Sequence, residues 1–255
     1  MDSEIEQTVW FYEDMPKIDF ATKVNWQNKR QILKVSFPVD INTDMATYEI
    51  QFGTTKRPTH YNTSWDHAKY EVCGQKYADL SEGNYGVALL NDCKYGHDIH
   101  NGDMRLTLVK CAWNPGNMGD FNDMGMHEFT YSIYPHKGDV ASCDVVKYAY
   151  DLNLPMTAIK SEGKGKLPSE YSLVSVNTDN LVIETVKEAE YTDETVVRMY
   201  ETKNTRGKAT VKFGFDVSEA YIANLSEKKE KKLTVKNNTV TFDYKPFEII
   251  TLILK

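Results

Sequence analysis

Two short segments of the sequence combine side-chain types that suit carbohydrate binding. Proteins commonly hold a sugar by stacking its apolar ring face on Trp or Tyr, while carboxylates, amides and Arg bind its hydroxyls. The first segment supplies Arg57, His60, Tyr61, Asn62, Trp65, Asp66 and His67, and the second supplies Asn91, Asp92, Lys94 and Tyr95. Both segments could instead be loops of a sandwich whose aromatic rings pack locally, and composition leaves the two interpretations open.

The histidines give a weaker signal for metal binding. Among the six, only His97 and His100 are close in sequence, and residues three apart on a strand or turn do not converge as they would on a helix. We therefore interpret this stretch as a polar loop that leads into a hairpin turn at Asn101-Gly102-Asp103. No GxSxG, P-loop, dinucleotide or HExxH motif occurs.

Charge and composition exclude several classes of protein. The chain has 255 residues, with 30 Lys and Arg against 37 Asp and Glu, so its net charge of −7 argues against nucleic-acid binding. We interpret the one dense basic run, Lys228 to Lys232, as a solvated turn. There is no apolar stretch of the ~20 residues that a membrane helix needs, and the first residues are acidic, unlike a signal peptide. We expect a soluble chain without an export signal.

The four cysteines, Cys73, Cys93, Cys111 and Cys143, fit neither a CxxC zinc site nor a dense disulfide framework, because their spacings are too wide. We therefore expect reduced, mostly buried thiols and a cytoplasmic location.

Alternating apolar and polar residues predict strands through most of the chain. The clearest are 32–37, 48–52, 104–109 and 129–134, which should end at Pro38, Gly53, the Asn114-Pro115-Gly116 turn and Pro135. The continuous apolar run 87–90 predicts a strand in the middle of a sheet. One helix is expected from an N-cap at Asp139 to Leu154, before Pro155.

Glycine, charge and Pro168 make 161–169 a linker candidate, so we place domains at 1–160 and 170–255. Six strands are expected beyond the linker, at 173–176, 181–186, 195–200, 209–215, 233–241 and 247–254, with one or two helical turns at 218–224. Turn residues such as 178–180, 204–207 and 237–238 separate the strands, a spacing typical of a small antiparallel sandwich.

Several longer motifs resemble the C-terminal region of glycoside hydrolase family 38 α-mannosidases, in order and over nearly the whole chain. The motifs are Phe52 to Asp66 (FGTTKRPTHYNTSWD), Gly86 to Gly96 (GVALLNDCKYG), Met104 to Leu108, Gly125 to His136, Val197 to Glu201, Arg206-Gly207 and Pro246 to Ile249.

The resemblance implies a fold for this chain, and it implies that the catalytic residues lie in another part of the protein. It implies an all-β chain: a large antiparallel supersandwich of the galactose mutarotase type over 1–160, then a small β-sandwich. Family members are zinc-dependent retaining mannosidases whose aspartate nucleophile and zinc ligands, two His and two Asp, lie mostly in an N-terminal barrel and the adjoining helical bundle. By this resemblance the chain is a C-terminal fragment that starts internally, without catalytic or metal-binding residues of its own.

By the same resemblance, the fragment packs on its own N-terminal catalytic domain and lends loops to the rim of a site for mannose-containing oligosaccharides. We assign that role to Asn91, Asp92, Lys94 and Tyr95, and also to Trp65 and Asp66, with polar packing between domains as the alternative. An exposed apolar face left by the missing barrel should make the fragment a homo-oligomer.

Two other functions stay open. One is a stand-alone, lectin-like carbohydrate-binding module. The other is a mutarotase-like isomerase that uses His100, His127 and Glu128 for proton transfer.

Overall fold

The computed structural model describes residues 3–112, 123–161, 163, 165–166 and 168–255. The predicted turn at 114–116 and residues 162, 164 and 167 of the predicted linker lie outside this range. The chain divides into two compact units, residues 1–157 and 158–255. Antiparallel sheets dominate both units, which confirms the predicted all-β class.

Within its described residues, the first unit contains a seven-stranded sheet and a four-stranded sheet. Its strands are β1 (Glu4–Phe11), β2 (Ile18–Trp26), β3 (Ile32–Pro38), β4 (Met45–Ile50), β5 (Gly53–Pro58), β6 (Val72–Cys73), β7 (Tyr77–Glu82), β8 (Tyr85–Asn91), β9 (Gly96–His100), β10 (Asp103–Lys110) and β11 (Gly125–Lys137), and its helices are α1 (Ser64–His67) and α2 (Val145–Asn153). The sheet orders are β1-β2-β11-β8-β7-β4-β5 and β3-β10-β9-β6.

The main core of this unit includes side chains from strands of both sheets. Val24, Leu89 and Tyr131 from the larger sheet belong to the same buried cluster as Met104 and Leu106 from β10. The run Val87–Leu90 is buried on both faces, because Ala88 and Leu90 pack with Val145 and Ala149 of α2. β8 is the fourth of seven strands, so the predicted central strand is confirmed.

The hairpin between β9 and β10 shows how two residues set a turn. Asn101 and Gly102 both have positive φ, 48° and 80°, as a two-residue type I′ turn requires. The predicted turn is therefore confirmed, and the Asn237-Asn238 turn of the second unit, with φ of 50° and 53°, follows the same chemistry.

Two boundary predictions in the first unit were wrong. β11 continues through Pro135 to Lys137. Its pairing with β2 ends at Ile133, so beyond that residue the strand pairs only with β8. Pro135, which has no backbone N–H to donate, is therefore tolerated there. The helix begins at Val145 rather than near Asp139, because the Asp139 carboxylate and carbonyl bind Ser142 in a separate turn.

The second unit contains eight strands in a three-stranded and a five-stranded sheet. They are β12 (Val174–Val176), β13 (Leu181–Glu188), β14 (Thr195–Glu201), β15 (Gly207–Phe213), β16 (Ala220–Ala223), β17 (Lys229–Leu233), β18 (Thr239–Tyr244) and β19 (Ile249–Leu254). The orders are β12-β15-β18 and β13-β14-β19-β16-β17. Val197, Val211, Phe242 and Leu252 lie in its core.

Three predictions for this unit were wrong. The helical turns expected at 218–224 are the strand β16, held between β17 and β19. The single strand expected at 233–241 is two strands, because the Asn237-Asn238 turn falls inside it. The lysine run is not a turn but the exposed edge strand β17, a placement that discourages edge-to-edge pairing.

All four cysteines are free, but Cys73 and Cys93 are exposed and only Cys111 is fully buried. The expectation of mostly buried thiols was therefore wrong.

In the described part of the chain, no helix combines the length and apolar character needed to cross a membrane.

Candidate functional site

Asn91 ends β8 and organises the loop that follows it. Its side chain is 0% exposed, and Nδ2 donates to the Gln75 carbonyl at 2.8 Å. Its Oδ1 accepts from the backbone N–H of Lys94 at 2.9 Å. An amide that satisfies backbone groups on two sides fixes the path of the chain, so Asn91 positions Lys94 and Tyr95 rather than facing solvent.

Asp92 anchors the same loop to β11. Its backbone N–H donates to the Thr130 carbonyl at 3.2 Å, and its Oδ2 accepts from the Thr130 N–H at 2.8 Å. Its other oxygen, Oδ1, is buried and has no hydrogen-bond partner in the described structure. One carboxylate oxygen therefore holds the loop, while the second is closed off from solvent.

Lys94 and Tyr95 are the members of this segment that lie nearer the surface. The Lys94 ammonium lies 4.6 Å from the centre of the Phe129 ring, a cation–π contact. The Tyr95 side chain is 45% exposed. Asn91 and Asp92 thus support a loop whose accessible side chains are the Cys93 thiol, the Lys94 ammonium and the Tyr95 phenol.

In the first segment, α1 is a single turn that presents Trp65 to solvent. The Thr63 hydroxyl accepts from the Asp66 N–H at 3.1 Å and donates to Asp66 Oδ2 at 2.7 Å, so the two residues cap the turn. Asp66 Oδ2 also lies 3.9 Å from Nδ1 of His60. Trp65 is 80% exposed. Asp66 therefore holds the turn while the indole ring remains free.

Aromatic rings pack beside this turn. The rings of Tyr61 and His100 stack with centroids 3.9 Å apart, and His67 meets both Tyr61 and Tyr70 edge-on. Nδ1 of His100 lies 2.8 Å from the Thr59 carbonyl oxygen and therefore carries the proton that it donates. Local packing, the alternative considered for this segment, accounts for these rings but not for Trp65.

A narrow cavity lies where β4 and β5 of the larger sheet approach β6 and β9 of the smaller one. Tyr48, Arg57, Tyr61, Asp66, Lys69 and His97 line it. His97 is 0% exposed, and neither ring nitrogen has a hydrogen-bond partner. Burial, and secondly the charge of Arg57, lower the pKa of His97 to about 4, so the imidazole is neutral near pH 7.

Within residues 3–112, the second segment is bound to the chain that follows β6 and not to the first segment. The Gly74 N–H donates to the Tyr95 carbonyl at 3.0 Å, and a Cβ on Gly74 would lie 2.9 Å from Cδ2 of His97. Among the described residues, no hydrogen bond or ion pair joins a side chain of one segment to a side chain of the other. His97 was not predicted as a member of this region, although Arg57 belonged to the first segment.

The three residues considered for an isomerase lie on different sheets. His100 is on β9, whereas His127 and Glu128 are on β11. Nε2 of His127 lies 2.7 Å from the Asp123 carbonyl oxygen, and Glu128 pairs with Lys23 at 3.1 Å on the surface. Adjacent residues of a strand face opposite sides of the sheet, so His127 and Glu128 do not converge.

A zinc ion would need three or four His, Cys, Asp or Glu side chains that converge. Within the described ranges, no group of three such side chains is placed to hold a metal ion. These residues therefore do not fit a zinc site.

Comparisons with known proteins match both parts of the chain. The profile of the "Glycosyl hydrolases family 38 C-terminal domain" matches residues 1–117. The profile of the "Glycosyl hydrolases family 38 C-terminal beta sandwich domain" matches residues 180–252. Both belong to one family, and together they cover most of the chain.

Curated relatives match the same family. The chain is 37% identical over 257 residues to "Alpha-mannosidase 2C1" of Homo sapiens, covering 99% of this chain and 24% of that protein. It is 43% identical over 202 residues to "Alpha-mannosidase G" of Dictyostelium discoideum, covering 78% of this chain and 18% of that protein.

The crystal structure of an alpha-mannosidase from Enterococcus faecalis V583 has the same fold, with a TM-score of 0.82 and 20% identity over 98% of this chain and 29% of that one. The chain thus spans about a quarter of the length of the curated relatives that it matches over nearly its whole extent. It belongs to glycoside hydrolase family 38, in which it corresponds to the C-terminal region of the α-mannosidases.

Proposed function

We propose that this chain is the non-catalytic C-terminal part of a zinc-dependent retaining α-mannosidase that hydrolyses α-mannosides. The observation that carries the proposal is the extent of the match: 99% of this chain aligns with 24% of a mannosidase. Under this proposal, zinc and the nucleophile lie elsewhere in the parent protein. When bound there, zinc would polarise substrate hydroxyls.

The proposed contribution of the chain to the substrate rim comes from its two loops. Tyr95 and Trp65 are exposed aromatic rings on loops held by buried or capping polar groups, the arrangement that a sugar-stacking contact needs. Lys94 adds a hydrogen-bond donor for hydroxyl groups. Asp92, whose Oδ1 is buried, contributes to the rim by positioning its loop. Asn91 and Asp66 act by positioning these loops.

A second part of the proposal concerns the exposed strand β1. Ile5, Val9, Trp10 and Phe11 are large apolar side chains that are 41–74% exposed. Exposed apolar patches commonly mark contact surfaces. We propose that β1 packs on the catalytic domain of the parent enzyme, and that the isolated chain self-associates through it.

We also propose a cytoplasmic location for the protein. The free thiols of all four cysteines support this location.

The first experiment measures mannose release by the purified 255-residue chain, with and without added zinc. We expect no release under either condition, and robust zinc-dependent turnover would disprove the non-catalytic role.

The second experiment tests the rim role. In a whole mannosidase that contains this chain, Tyr95→Ala or Trp65→Ala should raise KM about fivefold, because each variant loses roughly 1 kcal/mol of stacking. The control is Tyr191→Ala, which removes an 84% exposed ring from the second unit. Equal KM values in all three variants would contradict the rim role.

The exposure of Trp65 also favours a second candidate, a stand-alone carbohydrate-binding module. Calorimetry of the isolated chain with mannose and short mannosides separates the two functions. A binding module should give a Kd near or below about 1 mM, roughly −4 kcal/mol, which Trp65→Ala abolishes. A rim contributor should show no measurable heat on its own.

A further inference from the structure

The cavity between β5 and β9 is a built polar site rather than a packing defect. His97 and Ile99 of β9 face inward, while Asp98 and His100 between and beside them are partly exposed. The His97 ring meets the edge of the Tyr48 ring at a centroid distance of 5.9 Å, and Gly74 leaves it room on another side. The ring is therefore held in place without a single hydrogen bond to either nitrogen.

Arg57 places a guanidinium at this cavity. Its guanidinium carbon lies 4.7 Å from the centre of the Tyr48 ring, and its buried Nη1 has no hydrogen-bond partner. No ion pair of Arg57 occurs among the described residues. The Asp98 carboxylate, which also lines the cavity, is already paired with Arg105 at 3.2 Å and Lys34 at 3.5 Å.

Buried polar groups in folded proteins nearly always have partners, and each exception needs an explanation. Here two exceptions face the same cavity, and both can donate: the guanidinium N–H of Arg57 and the single N–H of neutral His97. Lys69 and Asp66 lie at the same cavity with opposite charges. Within the described structure, the Arg57 guanidinium has no counter-ion of its own, and a ligand that carries a negatively charged oxygen atom would satisfy both donors.

The size of the cavity limits that ligand. Its volume is about 20 Å³, enough for roughly one water-sized group and too small for a sugar ring. A carboxylate is flat and can insert one oxygen while the rest of the molecule remains at the opening beside Tyr61 and Lys69.

We propose that the Arg57–His97 cavity binds the carboxylate of a small organic acid. One carboxylate oxygen accepts from Arg57 Nη1 and from the N–H of His97. The second ring nitrogen of His97, an acceptor, then receives a hydrogen bond from a hydroxyl of the ligand or from water. The site lies entirely in the first unit and does not depend on the mannosidase assignment.

The test is a titration of the 255-residue chain, labelled with ¹⁵N, with sodium acetate at constant ionic strength set by sodium chloride. The ring nitrogens of His97 should shift saturably, with a Kd on the order of 10 mM. His136 is an internal control, because its Nε2 is already bound to Asp79 at 2.7 Å, and its signals should not move. A cavity occupied by water alone gives no saturable shift of His97 up to about 100 mM acetate, and this result overturns the proposal.

Arg57→Met tests the role of the guanidinium while retaining much of the alkyl chain over Tyr48. It should weaken acetate binding at least about tenfold. The matched control is Arg198→Met, which removes a half-buried arginine that donates to Thr251 and Leu225 in the second unit. Acetate binding that is equal in Arg57→Met and wild type also overturns the proposal. If Arg57→Met does not fold, Arg57→Lys replaces it, and the wild-type titration is decisive in either case.

Discussion

Nε2 of His136 lies 2.7 Å from Oδ2 of Asp79, and each side chain is only 1% exposed. The two residues are on β11 and β7, with β8 between them, so their contact crosses three strands of the larger sheet. Gly86 of β8 pairs with His136 and with Ser81, and any side chain at this position would collide with the His136 ring. The glycine therefore makes the buried pair possible.

Removing the charge of Asp79 should destabilise the first unit strongly. Asp79→Asn keeps the shape of the side chain but leaves the imidazolium of His136 buried without its counter-ion, which costs about 3–5 kcal/mol. Urea denaturation followed by circular dichroism measures the loss. The control, Asp151→Asn on the exposed face of α2, should stay within about 0.5 kcal/mol of wild type. Equal midpoints for the two variants would show that the pair contributes nothing.

The same pair makes stability depend on pH in a defined direction. Burial alone would lower the pKa of His136, but hydrogen bonds to Asp79 and Cys143, together with their charges, raise it to about 10. Because the unfolded value is near 6.5, the contribution to stability is complete below pH 6.5 and is lost as pH rises through about 10. The free energy of unfolding should therefore fall more steeply over this range for wild type than for His136→Gln. Parallel pH profiles would contradict this assignment.

Glu201 has a comparable role in the second unit. The side chain is fully buried, and one oxygen, Oε1, accepts from the N–H groups of Lys203 and Thr205 at 2.9 and 3.1 Å. The other oxygen accepts at 2.9 Å from the N–H of Phe247, a residue with φ of 52°. The carboxylate thus holds the turn after β14 against the turn before β19.

Glu201→Gln should weaken this connection. An amide places an NH₂ group opposite one set of backbone donors, so we expect a loss of about 3 kcal/mol. Hydrogen exchange should accelerate at the amides of Lys203, Thr205 and Phe247. The control is Glu188→Gln, an exposed position at the end of β13. Unchanged protection at the three amides would show that Glu201 does not hold the turns.

Elements set by local chemistry could be predicted from the sequence. Asn101-Gly102 and Asn237-Asn238 tolerate positive φ, and alternation identified strands such as β10 and β11. β1 was missed because every residue in it is exposed, so no buried face produces an alternating pattern. β16 was mistaken for helical turns because four residues carry no clear period, and pairing with β17 and β19 decides their conformation.

The composition of the two candidate loops could be predicted, but the direction of each side chain could not. Asn91 and Trp65 both lie in segments that the sequence predicts as loops. Asn91 is nevertheless fully buried, whereas Trp65 is 80% exposed. The difference arises from partners such as Gln75, which only the register of β7 and β8 brings near Asn91. Arg57 and His97 are forty positions apart, and the sandwich brings them to one cavity.

Asn91 and Tyr95 allow the positioning and exposed roles to be separated by stability alone. Asn91→Ala removes both side-chain hydrogen bonds and leaves the Gln75 carbonyl and the Lys94 N–H without them, which should cost about 2 kcal/mol. Tyr95→Ala, at a 45% exposed ring four residues later, should change the free energy of unfolding by less than about 0.5 kcal/mol. Asn91→Asp should be at least as harmful as Asn91→Ala, because it turns a carboxylate oxygen towards the Gln75 carbonyl. Urea denaturation of the three variants measures these differences, and a Tyr95→Ala variant as unstable as Asn91→Ala would show that Tyr95 also supports the loop.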